Sequence, residues 1–251
     1  MSQRLRLPAA LPALIVLAAA IAVRATRPYR PFPSIDDFAY LPLAWAWRDP
    51  ALFPRDTLLR GFVHHTPAWD LIVAALDRAI GEPRGFWLLT ILLTLAALAT
   101  VLRLMRATGV SPLLLPLVTA LAFCGSVIGF GRGAYDGALG DAFHVQWLSL
   151  CAVLWSYDGF VRGRTIVSGA WLGVAALCHP VVAAHGAIVL AVASLGAGAG
   201  QWKRLPALAG IALLVSLPVS LPLVRSIAVS NGPAAAMTPD VVRLGYEFRA
   251  P

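Results

Sequence analysis

The side chains able to do chemistry in this sequence are few and clustered. Asp36 and Asp37 are adjacent, Asp136 and Asp141 are five apart, and histidines stand at His64, His65, His144 and His179. Two neighbouring carboxylates can hold a hard divalent cation, Mg²⁺ or Mn²⁺, which prefers oxygen ligands and bridges phosphates. One of them can instead act as a general base toward a hydroxyl. A structural role competes with both: Ser34 is a suitable N-cap, and acids in the first helical turn are favoured by the helix dipole. His64 and His65 are adjacent and lack an HExxH-type partner set, so contact with an anionic substrate is preferred to zinc.

The second acidic pair flanks a glycine-rich stretch. Residues 129–141 carry glycine at 129, 131, 133, 137 and 140, with Arg132 among them. Glycine lets backbone approach a ligand closely, and an arginine beside it can pair with phosphate. No GK[ST] follows, so this is no P-loop, and a plain inter-helix turn is the alternative. Asp141 and His144 are three apart and share a helix face, with Gln146 entering the apolar run behind them. Ionisable groups at such depth are costly to keep and tend to be functional.

Apolar spans must position these groups. Of the 251 residues 59% are hydrophobic and 13% are charged, whereas a soluble domain carries about 25% charge. With a mean hydropathy of +0.76, the chain reads as an all-α, polytopic integral membrane bundle forming a single transmembrane domain over 1–251. Apolar runs fall at 8–23, 86–102, 112–131, 142–160, 166–178, 181–198 and 205–224. Arg4 and Arg6 before the first run resemble a signal peptide, but Arg24, Arg27, Pro28 and Arg30 follow without a clean cleavage site, so that run is read as an uncleaved span. The stretch 166–198 is long for one helix and short for two. Pro180 disfavours helix at His179, so a tight hairpin with His179 near its tip is expected, which makes about seven spans. One kinked helix is the alternative.

Orientation comes from the short connectors. Arg4, Arg6, Arg103, Arg106, Arg162, Arg164, Lys203 and Arg204 share one side with a single acid, Asp158. By the positive-inside rule that side, with the N-terminus, is cytoplasmic. The other eleven acids fall on the opposite side, in the large outer loop 24–85, the turn near 132–141 and the tail 225–251. The loop's Trp45, Trp47, Phe53, Phe62 and Trp69, followed by Phe86 and Trp87, predict amphipathic helices lying at the membrane interface. The tail ends at Tyr246–Pro251 without a polar extension and reads as truncated.

The net charge of +8 is carried by nineteen Arg and one Lys against twelve acids. These cations lie between apolar runs and form no aromatic-interleaved stripe, which excludes nucleic acid as the partner and leaves membrane lipids. Cys124, Cys151 and Cys178 sit singly inside apolar runs and read as small buried hydrophobes.

This layout resembles the GT-C class of polytopic membrane glycosyltransferases: one span, a long outer loop opening on Asp36-Asp37, interfacial loop helices, further spans and a Gly/Arg/Asp turn. The segments Asp49–Asp56 and His179-Pro180 are similar to those of bacterial membrane proteins of this type. The resemblance implies transfer of a sugar from a polyprenyl-phosphate donor at the extracytoplasmic face of the bacterial inner membrane, with Asp36 or Asp37 as the catalytic or metal-linked acid. His64, His65, Arg132, Asp136, Asp141, His144 and His179 would bind substrate. The chain departs from the class in having about seven spans, where its members have more. A small-solute transporter and a non-catalytic membrane protein are the competing classes; against the first, no internal repeat is visible.

Overall fold

The computed structural model describes residues 66–111, 145–196 and 199–230, with isolated positions 18, 42, 44–46, 49, 51, 52 and 114. Helix accounts for 88% of the described residues and no strand occurs among them, so this part of the chain is all-α. In chain order the elements are α1 (Pro67–Ile80), α2 (Glu82–Ala107), α3 (Val145–Val161), α4 (Thr165–Cys178), α5 (Pro180–Gly196), α6 (Ala199–Trp202) and α7 (Leu205–Ser230).

The amphipathic helix expected in the loop region is α1. Proline in its first turn lacks only an N–H that has no helical partner there, and Asp70 and Arg78 complement the dipole at its two ends. Trp69, Asp70 and Val73 form its buried face, while Leu71, Arg78 and Ile80 are exposed. Gly81 ends it with a φ of 81°, a conformation open to glycine without a Cβ penalty. α2 follows at once. It begins four residues ahead of the apolar run, because Pro83 suits a first turn.

Two stretches, Arg84–Ala107 and Gly200–Leu221, are long and apolar enough to cross a membrane. At about 1.5 Å per residue the 26 residues of α2 extend about 39 Å, beyond the roughly 30 Å of a hydrocarbon core. α4 and α5 are shorter, at 14 and 17 residues. Apart from the isolated positions 18 and 114, the expected spans at 8–23 and 112–131 lie outside the described residues. Polar groups inside the apolar helices are satisfied locally: the hydroxyls of Thr90, Thr94 and Thr100 each donate to the carbonyl four residues back at 2.7 Å.

Side-chain contacts fix the direction of each helix. Cys151 Sγ donates to the Leu93 carbonyl at 3.7 Å, and Arg103 pairs with Asp158 about two to three turns further along both helices. α2 and α3 therefore run parallel. Ser156 donates to the Ser168 carbonyl at 2.8 Å and Ser149 to the Ala175 carbonyl at 2.9 Å, so α4 runs antiparallel to α3. Tyr157 Oη donates to the Gly186 carbonyl at 3.2 Å. Gly186 thus lies level with the far part of α3, and α5 has turned back beside α4. The hairpin reading of 166–198 holds, with His179 at the bend.

α7 packs along α4 in the same direction. A Cβ on Gly169 would lie 2.7 Å from the Leu208 carbonyl oxygen, and one on Gly173 would lie 2.5 Å from Val215 Cβ. These glycines are four apart, the small-xxx-small spacing that lets two helix backbones approach in a membrane. Around the helices the outward side chains stay apolar: Val192 is 65% exposed, Leu195 71% and Leu214 67%. A surface of that kind suits lipid rather than water. The inner residues form two adjoining clusters, one centred on Trp69, Phe86, Leu93, Trp147 and Cys178, the other on Ala152, Phe160, Leu172 and Leu190. Cys151 and Cys178 are buried free thiols, as their apolar settings predict; Cys124 lies outside the described residues.

Candidate functional site

The helix directions sort the polar residues to two ends of the bundle. One end carries Arg103, Asp158, Arg162, Arg164 and Arg204. The other carries His179, Ser149 and Trp147, with α1 packed against α2 and α4 there. Trp69 stacks on Phe86, in the first turns of α2, with ring centroids 6.0 Å apart, which brings the start of α1 to this second end.

His179 is the one residue of the expected site that lies within the described residues. It stands between α4 and α5 with extended backbone (φ −158°, ψ 101°). Its N–H donates to the Ala175 carbonyl at 2.8 Å, and its carbonyl accepts from Ala183 N–H at 3.1 Å and from Ser149 Oγ at 3.3 Å. The ring caps α5: Nδ1 accepts the Val182 N–H at 3.3 Å. An accepting Nδ1 has no proton, which assigns the neutral tautomer with hydrogen on Nε2. The imidazole is thereby fixed in orientation at the tip of the hairpin. His185, further along α5, is exposed.

Asp70, grouped by sequence with the hydrophilic loop, is 1% exposed on the buried face of α1. Its neighbours Thr66 and Trp69 are equally enclosed. The sequence signal for this was the 3–4 spacing of Trp69, Asp70 and Val73, which share one helix face.

The opposite end is an ionic assembly. Asp158, 7% exposed, accepts from Arg103 Nη2 at 2.6 Å and from Arg162 Nε at 2.9 Å. The first bond ties α2 to α3, and the second is an i,i+4 pair within the end of α3. Arg204 donates through Nε to Thr165 Oγ1 at 2.9 Å and through Nη1 to Gln201 Oε1 at 2.7 Å. Its guanidinium carbon lies 4.8 Å from the centroid of the Phe160 ring. In the sequence Asp158 and Arg204 serve only to orient the chain. The spacing of Asp158 and Arg162 was the available sign of a structural pair; nothing in sequence marks the partnership with Arg103, 55 residues away.

Asp36, Asp37, His64, His65, Arg132, Asp136, Asp141 and His144 lie outside the described residues. Among the described residues no group of three or more His, Cys, Asp or Glu side chains could hold a metal ion. The class of protein that the described residues define is all-helical, with two helices among them long and apolar enough to cross a membrane. No family model, curated protein or solved structure matches it.

Proposed function

We propose that this chain is a membrane glycosyltransferase of the GT-C type. It transfers a sugar from a polyprenyl-phosphate donor at the extracytoplasmic face of a bacterial inner membrane, with the basic end in the cytoplasm. The observation that supports this reading is the convergence of helix ends. α1 starts at Pro67, directly after His64, His65 and Thr66; α3 starts at Val145, directly after His144; and the α4–α5 bend is His179 itself. All three ends lie opposite the basic end. Segments distant in sequence thus lead toward one end of the bundle, the end at which His179 stands; Asp141 and His144 precede the first residue of α3 in the sequence.

In this proposal Asp37 or Asp36 takes the proton of the acceptor hydroxyl as its oxygen attacks the anomeric carbon. The bond from that carbon to the donor phosphate oxygen breaks, and the phosphate leaves with the bonding pair. Arg132 and the histidines stabilise the charge that develops on it. If a divalent cation takes part, Asp36 and Asp37 are the residues to hold it; bound there, it would neutralise phosphate charge. His179 contributes a fixed Nε2–H donor, because its other nitrogen is occupied by the cap.

The test is sugar transfer from a labelled polyprenyl-phosphate donor in membranes carrying Asp36→Asn or Asp37→Asn chains. Loss of a general base lowers the rate by about 10²–10⁴-fold. Wild-type rates in both variants would remove the mechanism.

A further inference from the structure

The basic end of the bundle holds a cation with an unused donor. α4 and α7 run side by side in the same direction and start at this end, and Arg204 stands between their first turns. It spends Nε on Thr165, Nη1 on Gln201 and its planar face on Phe160. Nη2 is enclosed by protein and has no hydrogen-bond partner. A charged donor kept from water without an acceptor is unfavourable, and an incoming anion would supply that acceptor. Arg204 as a residue is half-buried rather than buried, so its guanidinium lies near the surface of this end. Asp158 accepts from Arg103 and Arg162 and not from Arg204.

The surroundings specify the kind of anion. Arg164 and Lys203 are exposed beside Arg204, adding positive charge that no described carboxylate offsets. Ile166, 72% exposed, is two residues from Arg164, and Trp202, 48% exposed, is next to Lys203. Cations and tryptophan at the edge of an outward apolar band occupy the level of bilayer headgroups. We propose that Arg204, Arg164 and Lys203 form a seat for the phosphate of an anionic phospholipid headgroup, at the end of the bundle opposite to the proposed transfer site.

Thermal unfolding of the purified full chain in neutral detergent tests this, with phosphatidylglycerol or phosphatidylcholine added in steps. Phosphatidylglycerol raises the unfolding midpoint of the wild type and phosphatidylcholine does not. The exposed pair Arg164→Gln/Lys203→Gln weakens the apparent affinity about 25-fold, taking about fivefold for each cation at an anionic surface. The control Arg78→Gln/Arg84→Gln, at the other end, keeps wild-type affinity. Arg204→Gln loses the effect; should that variant fail to fold, the exposed pair still decides. Equal response to the two lipids, or unchanged affinity in Arg164→Gln/Lys203→Gln, overturns the proposal. The same stabilisation by inorganic phosphate alone would show a soluble-anion site and overturn the assignment to lipid.

Discussion

Tyr157 donates its phenolic proton to the carbonyl of Gly186 at 3.2 Å, and this bond shows that α5 returns along α4. Gly186 is seven residues past His179. In a single kinked helix it would lie beyond the start of α3, far from Tyr157. Tyr157→Phe keeps the ring and removes the bond. It should lower stability by about 0.5–1.5 kcal/mol in detergent-based unfolding and leave helix content unchanged. No measurable loss would mean that the hydroxyl contributes nothing to the hairpin.

Close approach of α4 and α7 depends on Gly173. A methyl there would sit 2.5 Å from Val215 Cβ and 2.8 Å from the Ala212 carbonyl oxygen. Both belong to helix backbone or its first side-chain atom, so neither can swing aside. Gly173→Ala should destabilise by about 1–3 kcal/mol through overpacking. Gly210→Ala, inside α7 with nothing within 4 Å of its added methyl, should instead stabilise by up to about 1 kcal/mol, because alanine favours helix over glycine. The contrast is read by thermal unfolding of the two variants side by side.

The Arg103–Asp158 pair joins α2 to α3 across a partly wet boundary. Arg103 is 53% exposed at its side chain and Asp158 only 10%, so solvent screens the arginine more than the acid. Asp158→Asn leaves Arg103 and Arg162 side by side without their shared carboxylate. A loss of about 1–2 kcal/mol is expected, below the 3–5 found for fully buried pairs. A double-mutant cycle with Arg103→Met should return a coupling energy near zero if the bond is incidental and a clear positive one if it ties the helices.

The hairpin at 166–198 was legible because proline acts locally. Pro180 cannot continue a helix from His179 in the usual way, and the observed helices Thr165–Cys178 and Pro180–Gly196 end within two residues of the sequence boundaries. Partnership was not legible. α3, α4, α5 and α7 are apolar on every face, so periodicity does not say which side meets a neighbour; the Gly169–Gly173 contact with α7 emerges only from the packed structure. Asp70 falls in the hydrophilic outer-loop stretch, whereas its place beside Trp69 on one helix face turns it inward. Of the expected site, His179 alone falls within the described residues, and there its side chain also has a capping role that the sequence did not show.

His179 caps α5 through Nδ1, so the cap and the proposed substrate contact can be separated. His179→Ala removes the acceptor for Val182 N–H and should cost about 0.5–2 kcal/mol of stability. Asparagine is a good N-cap, and His179→Asn should recover most of that loss. Under the proposed function, sugar transfer falls in both variants, since asparagine restores the cap and not the imidazole donor. Full transfer in His179→Asn would confine His179 to its structural role.

Thiol labelling measures the central claim, that Asp36, Asp141 and His179 face one compartment, most directly. In a chain with Cys124, Cys151 and Cys178 replaced by alanine, single cysteines are placed at positions 36, 141, 179, 164 and 203. A membrane-impermeant maleimide applied to intact cells should modify positions 36, 141 and 179, and should reach 164 and 203 only after permeabilisation. Modification of positions 36 and 141 from opposite sides of the membrane would contradict the account.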